Sequence, residues 1–235
     1  ERIWQELHHA LRSPSPRRFI EVLRDLNALQ EILPEVEALF GIPQPEKYHP
    51  EIDTGVHVLM ALDRAAQLTE DPLVRFAVLV HDLGKAMTPV EYWPSHRGHE
   101  ALGVPLVDRV CRRLRIPERY RKLARKTARY HLLVHLAFEL KPKTLAKLLD
   151  DLDTWRNPDD FDRFLLACQA DAQGRKGLQN QPYPQADFLH KIYSLTKDIS
   201  AKYIPGNITG QDIGKEIHRL RCQQIAAYKK QLSRQ

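Results

Sequence analysis

Apolar positions along the chain recur at helical spacing, and the two-residue alternation of a half-buried strand is nearly absent. Ser15-Pro16 sets a capping residue before a proline at the first helical position. Phe19, Ile20, Leu23, Leu26 and Leu29 follow at three- and four-residue steps. Pro34 breaks that run, and a short helix is predicted from there to Gly41. The stretch holding Pro43, Pro45 and Pro50 reads as a turn-rich connector and the best candidate for a boundary. Beyond it, Asp53 or Thr54 caps a helix with His57, Met60, Ala61 and Leu68. Asp71-Pro72 opens the next, which buries Leu73, Phe76, Ala77 and Val80. It is expected to stop at Gly84, since glycine takes positive φ cheaply at a helix C-terminus.

Residues 85–97, with Pro89 and Pro94, read as a loop. Helices are predicted from about Gly98 to Leu114 and from Pro117 through His131 and beyond. Pro142 and Asn157-Pro158 open two more, the second carrying Phe161, Phe164, Leu165 and Cys168 towards Asp171. After a loop from Gln179 to Pro184, two long helical patterns remain, one to about Tyr203 and one capped by Thr209. The fold class is all-α, a helical bundle with flanking helices.

Composition changes this picture little: 43% hydrophobic and 28% charged residues are ordinary for a globular chain. The longest apolar run, Phe76 to Val80, is far too short to span a membrane, and no charged-then-apolar segment at the start resembles a signal peptide. Cys111, Cys168 and Cys222 are odd in number and widely spaced. They suit a reducing compartment, so a cytoplasmic location is expected. Charge matters more. The formal net charge of +6 favours an anionic partner. The chain opens on Glu1-Arg2-Ile3-Trp4, already helical in character, and reads as part of a longer protein.

The candidate chemistry lies in His57, His81, Asp82, His99, His131 and Asp171. Imidazole and carboxylate together suit a first-row divalent metal. His81-Asp82 is the sharpest feature, delivered by an apolar run to the rim of the core. His57 comes from the preceding antiparallel helix and Asp171 from the end of a later one. With His81-Asp82 they make up a metal shell, leaving His99 and His131 for a second ion or for phosphate. Lys85, just past Gly84, is expected to meet a phosphate. His96 precedes the next helix and is not expected to be a ligand. His8, His9, His49, His135, His190 and His218 read as surface or hydrogen-bonded histidines.

The pattern His57, His81-Asp82-Leu83-Gly84-Lys85, Gly98-His99-Glu100, His131, Asp171 resembles the HD superfamily of metal-dependent phosphohydrolases. The resemblance implies that His57, His81, Asp82 and Asp171 bind metal, and that His99 and His131 match the extra histidines of two-metal members. Several further stretches resemble the C-terminal part of bacterial CCA-adding tRNA nucleotidyltransferases. They are Ser13-Pro14-Ser15-Pro16, Leu33-Pro34-Glu35-Val36, His49-Pro50-Glu51, Asp171-Ala172-Gln173-Gly174-Arg175 and Gly210 to Ile217. This implies a neck-like helical segment over 1–48, an HD phosphohydrolase domain over 49–176 and a helical tail over 177–235. It further implies 2′,3′-cyclic phosphodiesterase, 2′-nucleotidase and phosphatase activities, the last responding to nickel. The nucleotidyltransferase head has no counterpart here, so nucleotide addition is not expected of this chain.

The expected mechanism has a metal-bound water attack phosphorus while Lys85, His99 and His131 act as catalytic residues that orient the phosphate. Imidazole ligands favour nickel, manganese, cobalt or zinc, with magnesium possible. The expected partners are tRNA or RNA 3′ ends and phosphate-ester nucleotides, with a homodimer possible and no membrane. The cation-dense stretch Arg109 to Arg129 offers Arg121, Lys122, Arg125 and Arg129 as an RNA backbone track. Two alternatives stand beside this. One is a non-catalytic tRNA-binding module, against which the complete ligand set argues. The other is an HD enzyme acting on free nucleotides, for which no base-specific pocket is legible.

Overall fold

The structure, a computed structural model, describes residues 1–204 and 210–233. Among them are twelve α-helices and no strand, so the chain is all-α. They are α1 (Arg2–Arg12), α2 (Pro16–Asp25), α3 (Leu29–Ile32), α4 (Pro34–Glu37), α5 (Thr54–Leu68) and α6 (Pro72–Leu79). The series continues with α7 (His99–Leu114), α8 (Glu118–His135), α9 (Pro142–Asp151), α10 (Pro158–Gln173), α11 (Pro184–Thr196) and α12 (Gln211–Leu232). Proline stands at the first position of α2, α4, α6, α9, α10 and α11, where its missing N–H costs nothing. Asp53 caps α5 by accepting from the Val56 amide, and Asp71 caps α6 by accepting from that of Leu73. The Thr209 cap expected for the last helix lies outside the described residues.

Two sequence expectations are corrected. The stripe through Leu26 and Leu29 is not one helix: α2 ends at Asp25, Asn27 turns back at φ 54°, and Leu26 is 70% exposed. Asparagine tolerates this left-handed conformation better than most residues, and the chain uses it to redirect. The helix opened by Pro72 does not reach Gly84 either. It stops at Leu79, and a 3₁₀ turn over Leu83–Met87 follows. Gly84 does not have the left-handed φ of a helix cap. It is needed for close approach, because a Cβ there would sit 2.0 Å from the His99 carbonyl oxygen.

The chain divides into two compact units, Glu1–Leu132 with Asp162–Tyr183, and Leu133–Phe161 with Pro184–Gln235. These units group residues by packing, whereas the division into 1–48, 49–176 and 177–235 groups them by sequence character. In the first unit α5 and α6 pack as a hairpin over Val58, Leu62, Ala65, Phe76 and Val80, all fully buried. Arg75 ties α1 to this hairpin. Its guanidinium donates to the carbonyls of Leu11, Ser13, Thr69 and Ala66 at 2.7 to 3.1 Å, with no carboxylate partner among these contacts. Arg113 on α7 reaches back in the same way to Glu35 and to the Ile32 carbonyl.

The second unit holds α9, α11 and α12. Asp150 is its polar hub, accepting from Trp155 Nε1, His218 Nδ1 and Arg221 Nη1 at 2.7 to 3.1 Å. The Arg221 guanidinium lies 3.7 Å from the Trp155 ring centroid, so the same cation serves a carboxylate and a π face.

Candidate metal centre

Five segments of the first unit bring six buried side chains to one point. His57 comes from the first turn of α5, His81 and Asp82 from the turn after α6, His99 from the first turn of α7, His131 from α8 and Asp171 from the last turn of α10. His81 and Asp82 escape the roughly 100° divergence of helical neighbours because α6 has already ended. Both then face inwards, at about 1% exposure.

Asp82 is the hinge of the geometry. Its Oδ2 lies 3.2 Å from His81 Nε2 and 4.0 Å from His57 Nε2, while its Oδ1 lies 3.3 Å from His99 Nε2 and 3.6 Å from His131 Nε2. Asp171 Oδ1 stands 3.0 Å from His57 Nε2 and 3.7 Å from His81 Nε2. One donor atom each from His57, His81 and Asp171 lies within 4.8 Å of the others, and the same holds for His81, Asp82 and His131.

The far sides of the rings explain why the Nε2 atoms converge. His81, His99 and His131 have Nδ1 at 2.7 to 2.9 Å from the carbonyls of Val78, His96 and Thr127. A carbonyl only accepts, so each Nδ1 carries a proton and each Nε2 is the atom left to face the centre. Nε2 atoms facing carboxylates call for a cation between them, a proton or a metal ion. His81 Nε2 and Asp82 Oδ1 are buried without a hydrogen-bond partner, at a cost that a bound ion would remove. These nitrogen and oxygen donors suit a divalent first-row ion, and the residues therefore fit one.

The electrostatics show what a bound ion would displace. Burial alone would strip the His81 proton, but the Asp82 and Asp171 carboxylates outweigh it and raise the imidazole to about 10, so without an ion a proton on Nε2 fills that place. Burial also opposes the Asp82 charge, yet His81 and Lys85 hold that carboxyl well below its usual range. His131 is pushed well below by burial, which keeps it neutral.

Lys85, expected to meet a phosphate, turns inwards. It is buried, with Nζ 2.7 Å from Asp82 Oδ2 and 2.5 Å from Gln44 Oε1. A 3₁₀ turn after Asp82 returns the side chain over the residue three before it, which an extended loop would not. His96 is held by Thr88 Oγ1 and the Pro43 carbonyl, away from the centre.

Three residues near the centre were passed over in the sequence reading. Glu51 Oε1 lies 3.0 Å from Nδ1 of both His49 and His57, so His49 is one of the expected hydrogen-bonded histidines and part of this surround. Arg175, one turn past Asp171, brings Nη2 to 3.8 Å from Asp171 Oδ1, and its buried Nε has no hydrogen-bond partner. Glu51 and Arg175 stand in stretches that the sequence singled out, though without a role; Gln44 had no local signal at all.

The cations of α8 divide. Arg125 pairs with Asp108, and Arg121 with Glu118 and Asp108, whereas Lys122 and Arg129 are exposed. Arg129 does not reach the face of His131, because two residues along a helix turn the side chain about 200°. With Arg125, Lys126 and Tyr130 it lines a groove of about 410 Å³ against Ala101, Val104 and Pro105 of α7.

Comparison with known proteins adds to this geometry. The model of the HD domain matches residues 54–155, and that of the probable RNA and SrmB-binding site of polymerase A matches residues 1–40. The multifunctional CCA protein of Thioalkalivibrio sulfidiphilus is 51% identical over 230 residues, covering 97% of this chain and 56% of the relative. Those of Nitrosococcus oceani and Alkalilimnicola ehrlichii are each 50% identical, over 96% and 100% of this chain and 56% and 57% of theirs. The chain thus spans somewhat more than half the length of these relatives.

Proposed function

With residues 54–155 belonging to the HD domain family, we propose that the chain is a metal-dependent phosphohydrolase of RNA-type phosphate esters. Its substrates are 2′,3′-cyclic phosphates, 2′-phosphates or simple monoesters, borne on RNA 3′ ends or nucleotides. The observation that carries this reading is the convergence of imidazole Nε2 atoms on two carboxylates, with His81 Nε2 and Asp82 Oδ1 lacking any hydrogen-bond partner.

His57, His81, Asp82 and Asp171 would hold the ion, with nickel, manganese, cobalt or zinc favoured and magnesium possible. When bound it supplies a water of lowered pKa and screens charge on the phosphoryl oxygens. His99 and His131 turn their Nε2 atoms towards Asp82 Oδ1, ready for a second ion or a phosphoryl group. Lys85 holds the Asp82 carboxylate in place and does not itself meet substrate. Arg175 takes the role first expected of Lys85, because it is the cation at the rim whose Nε lacks a partner.

The test is metal analysis followed by hydrolysis of 2′,3′-cyclic AMP, 2′-AMP, p-nitrophenyl phosphate and dGTP. Alanine at His81 or Asp82 should abolish metal-stimulated hydrolysis and leave the helical circular dichroism intact. Full activity in both variants sinks the assignment, and turnover of dGTP alone moves the substrate class to free nucleotides.

RNA is the proposed macromolecular partner, supported by the match over residues 1–40 and by the cationic groove between α7 and α8. Charge reversal at Lys122 and Arg129 should weaken RNA binding and flatten its salt dependence. Unchanged affinity removes this face from the reading.

A further inference from the structure

We propose that the groove between α7 and α8 selects RNA by accepting a ribose 2′-hydroxyl at the Ala101 carbonyl; this rests on the reading of that groove as the RNA face. A regular α-helix pairs each carbonyl with the amide four residues on. Pro105 stands inside α7 and has no N–H, so the Ala101 carbonyl loses its regular donor. Among the described residues no other segment supplies one. Ala101 and Pro105 are both exposed and both line the groove, so the gap between them opens into it. Proline is the least favourable residue for a helix interior, and at this exposed position burial does not offset the cost.

The groove is separate from the metal centre. At about 100° per residue, Ala101, Val104 and Pro105 lie about 140–240° round α7 from His99, and Arg129 lies about 200° round α8 from His131. Both histidines turn Nε2 to the centre, so the groove opens on the far side of the two helices. What it binds is held away from the reacting phosphorus. Its volume of about 410 Å³ falls in the range of about 300–1,000 Å³ that holds one small ligand, here a single nucleotide of a strand.

The two walls name the occupant. Arg125, Lys126 and Arg129 line one of them, and no lining residue among those described is acidic, so the groove suits an anion. Arg125 is engaged by Asp108, and exposed Arg129 takes the phosphate. The facing wall of Val104 and Pro105 is apolar except for a carbonyl that can only accept. A ligand carrying both an anion and a hydroxyl donor matches both walls. In RNA the 2′-hydroxyl and the 3′-phosphate sit on neighbouring carbons of one ribose, near enough to enter one small groove together. The exocyclic amines of the bases lie at the far edge of the nucleotide, and DNA brings the phosphate without the hydroxyl. The match of residues 1–40 to a probable RNA-binding site supports the same polymer.

The experiment measures, by fluorescence anisotropy, binding of a single-stranded oligoadenylate RNA and its 2′-fluoro counterpart to wild type, P105A and R129E. The 2′-fluoro strand keeps the phosphates and the ribose pucker but has no hydroxyl to donate. Wild type should bind RNA about 2- to 12-fold more tightly than the 2′-fluoro strand, the worth of one hydrogen bond. Alanine at 105 returns an amide to the Ala101 carbonyl, so P105A should lose this preference by weakening RNA alone. The regained helical bond should also raise its Tm by about 6–12 °C. R129E should weaken both strands together. Equal binding of the two strands by wild type overturns the ribose reading and leaves the groove standing, and this arm needs no variant to fold. The wild-type preference kept in P105A, or a Tm no higher than wild type, overturns it in the same way. R129E binding both strands as wild type does overturns the groove as the RNA face, and this inference with it.

Discussion

Alanine at Gly84 drives the turn that carries His81 and Asp82 against the first turns of α7. The added Cβ would lie 2.0 Å from the His99 carbonyl oxygen and 2.6 Å from the Gly103 amide nitrogen. Both are backbone atoms and cannot rotate aside. Opening the closer contact to 3.4 Å, where ordinary van der Waals contact begins, separates the two segments by about 1.4 Å. Overpacking of this kind costs about 1–3 kcal/mol. At about 2–4 °C per kcal/mol for a chain of this size, Tm should fall by roughly 2–12 °C. The centre should suffer more, because His99 Nε2 would leave its 3.3 Å approach to Asp82. A displacement near 1 Å costs on the order of 100-fold in rate where geometry governs the chemistry. Thermal melting and metal-stimulated hydrolysis of 2′,3′-cyclic AMP measure the two effects. Gly41→Ala is the comparison, because Gly41 has φ 84° and nothing within 4 Å of the added Cβ. It should cost only the backbone strain, about 1 kcal/mol, and spare hydrolysis. If Gly84→Ala melts within about 1 °C of wild type and turns over at the same rate, the close approach does not set the position of the ligands.

Arg75→Met should strip four carbonyls of their donor; at about 1 kcal/mol for each hydrogen bond this lowers Tm by roughly 10 °C and exposes α1 to limited proteolysis. A wild-type melting curve and cleavage pattern would refute that role. Cysteine alkylation at pH 8 should separate the three thiols. Burial pushes Cys111 up to about 12 and Cys168 well above its ordinary value, so neither forms thiolate at that pH, while half-exposed Cys222 should take the label first. Labelling of Cys111 or Cys168 in the native protein ahead of Cys222 would contradict the burial described. Asp171→Asn removes a ligand charge and should lower Ni²⁺ affinity by at least about tenfold in competition with a chromophoric chelator; unchanged affinity would exclude Asp171 as a ligand.

The helix starts were legible because their signals are local: a proline at the first position, or an aspartate accepting from the next turn, works within a few residues. The metal-type residues were legible by kind, since histidine and aspartate are few in the apolar segments that carry them. The end of α6 was not. The apolar run continues through Val80, so periodicity carries the helix on, while the real stop is set by packing of Gly84 against α7. The inward turn of Lys85 was not legible for a related reason. Its partner Gln44 is 41 residues away, and nothing near Lys85 announces that it turns inwards. Arg75 left no trace either, because two of its acceptors lie 62 and 64 residues upstream.

The separation of 114 residues between His57 and Asp171 also has a meaning in time. At a synthesis rate of 5–20 residues per second, roughly 6–23 s pass between the two proposed ligands. In the last 40 residues of that interval, roughly 2–8 s, the imidazoles of α5, α7 and α8 and Asp82 have all been made and Asp171 has not. A nascent chain therefore offers metal only a partial set of donors, and tight capture waits until α10 has been made and docked. Long-range closure of this kind is slow to nucleate. Metal should accordingly slow unfolding more than it speeds folding, because it grips a contact that forms late.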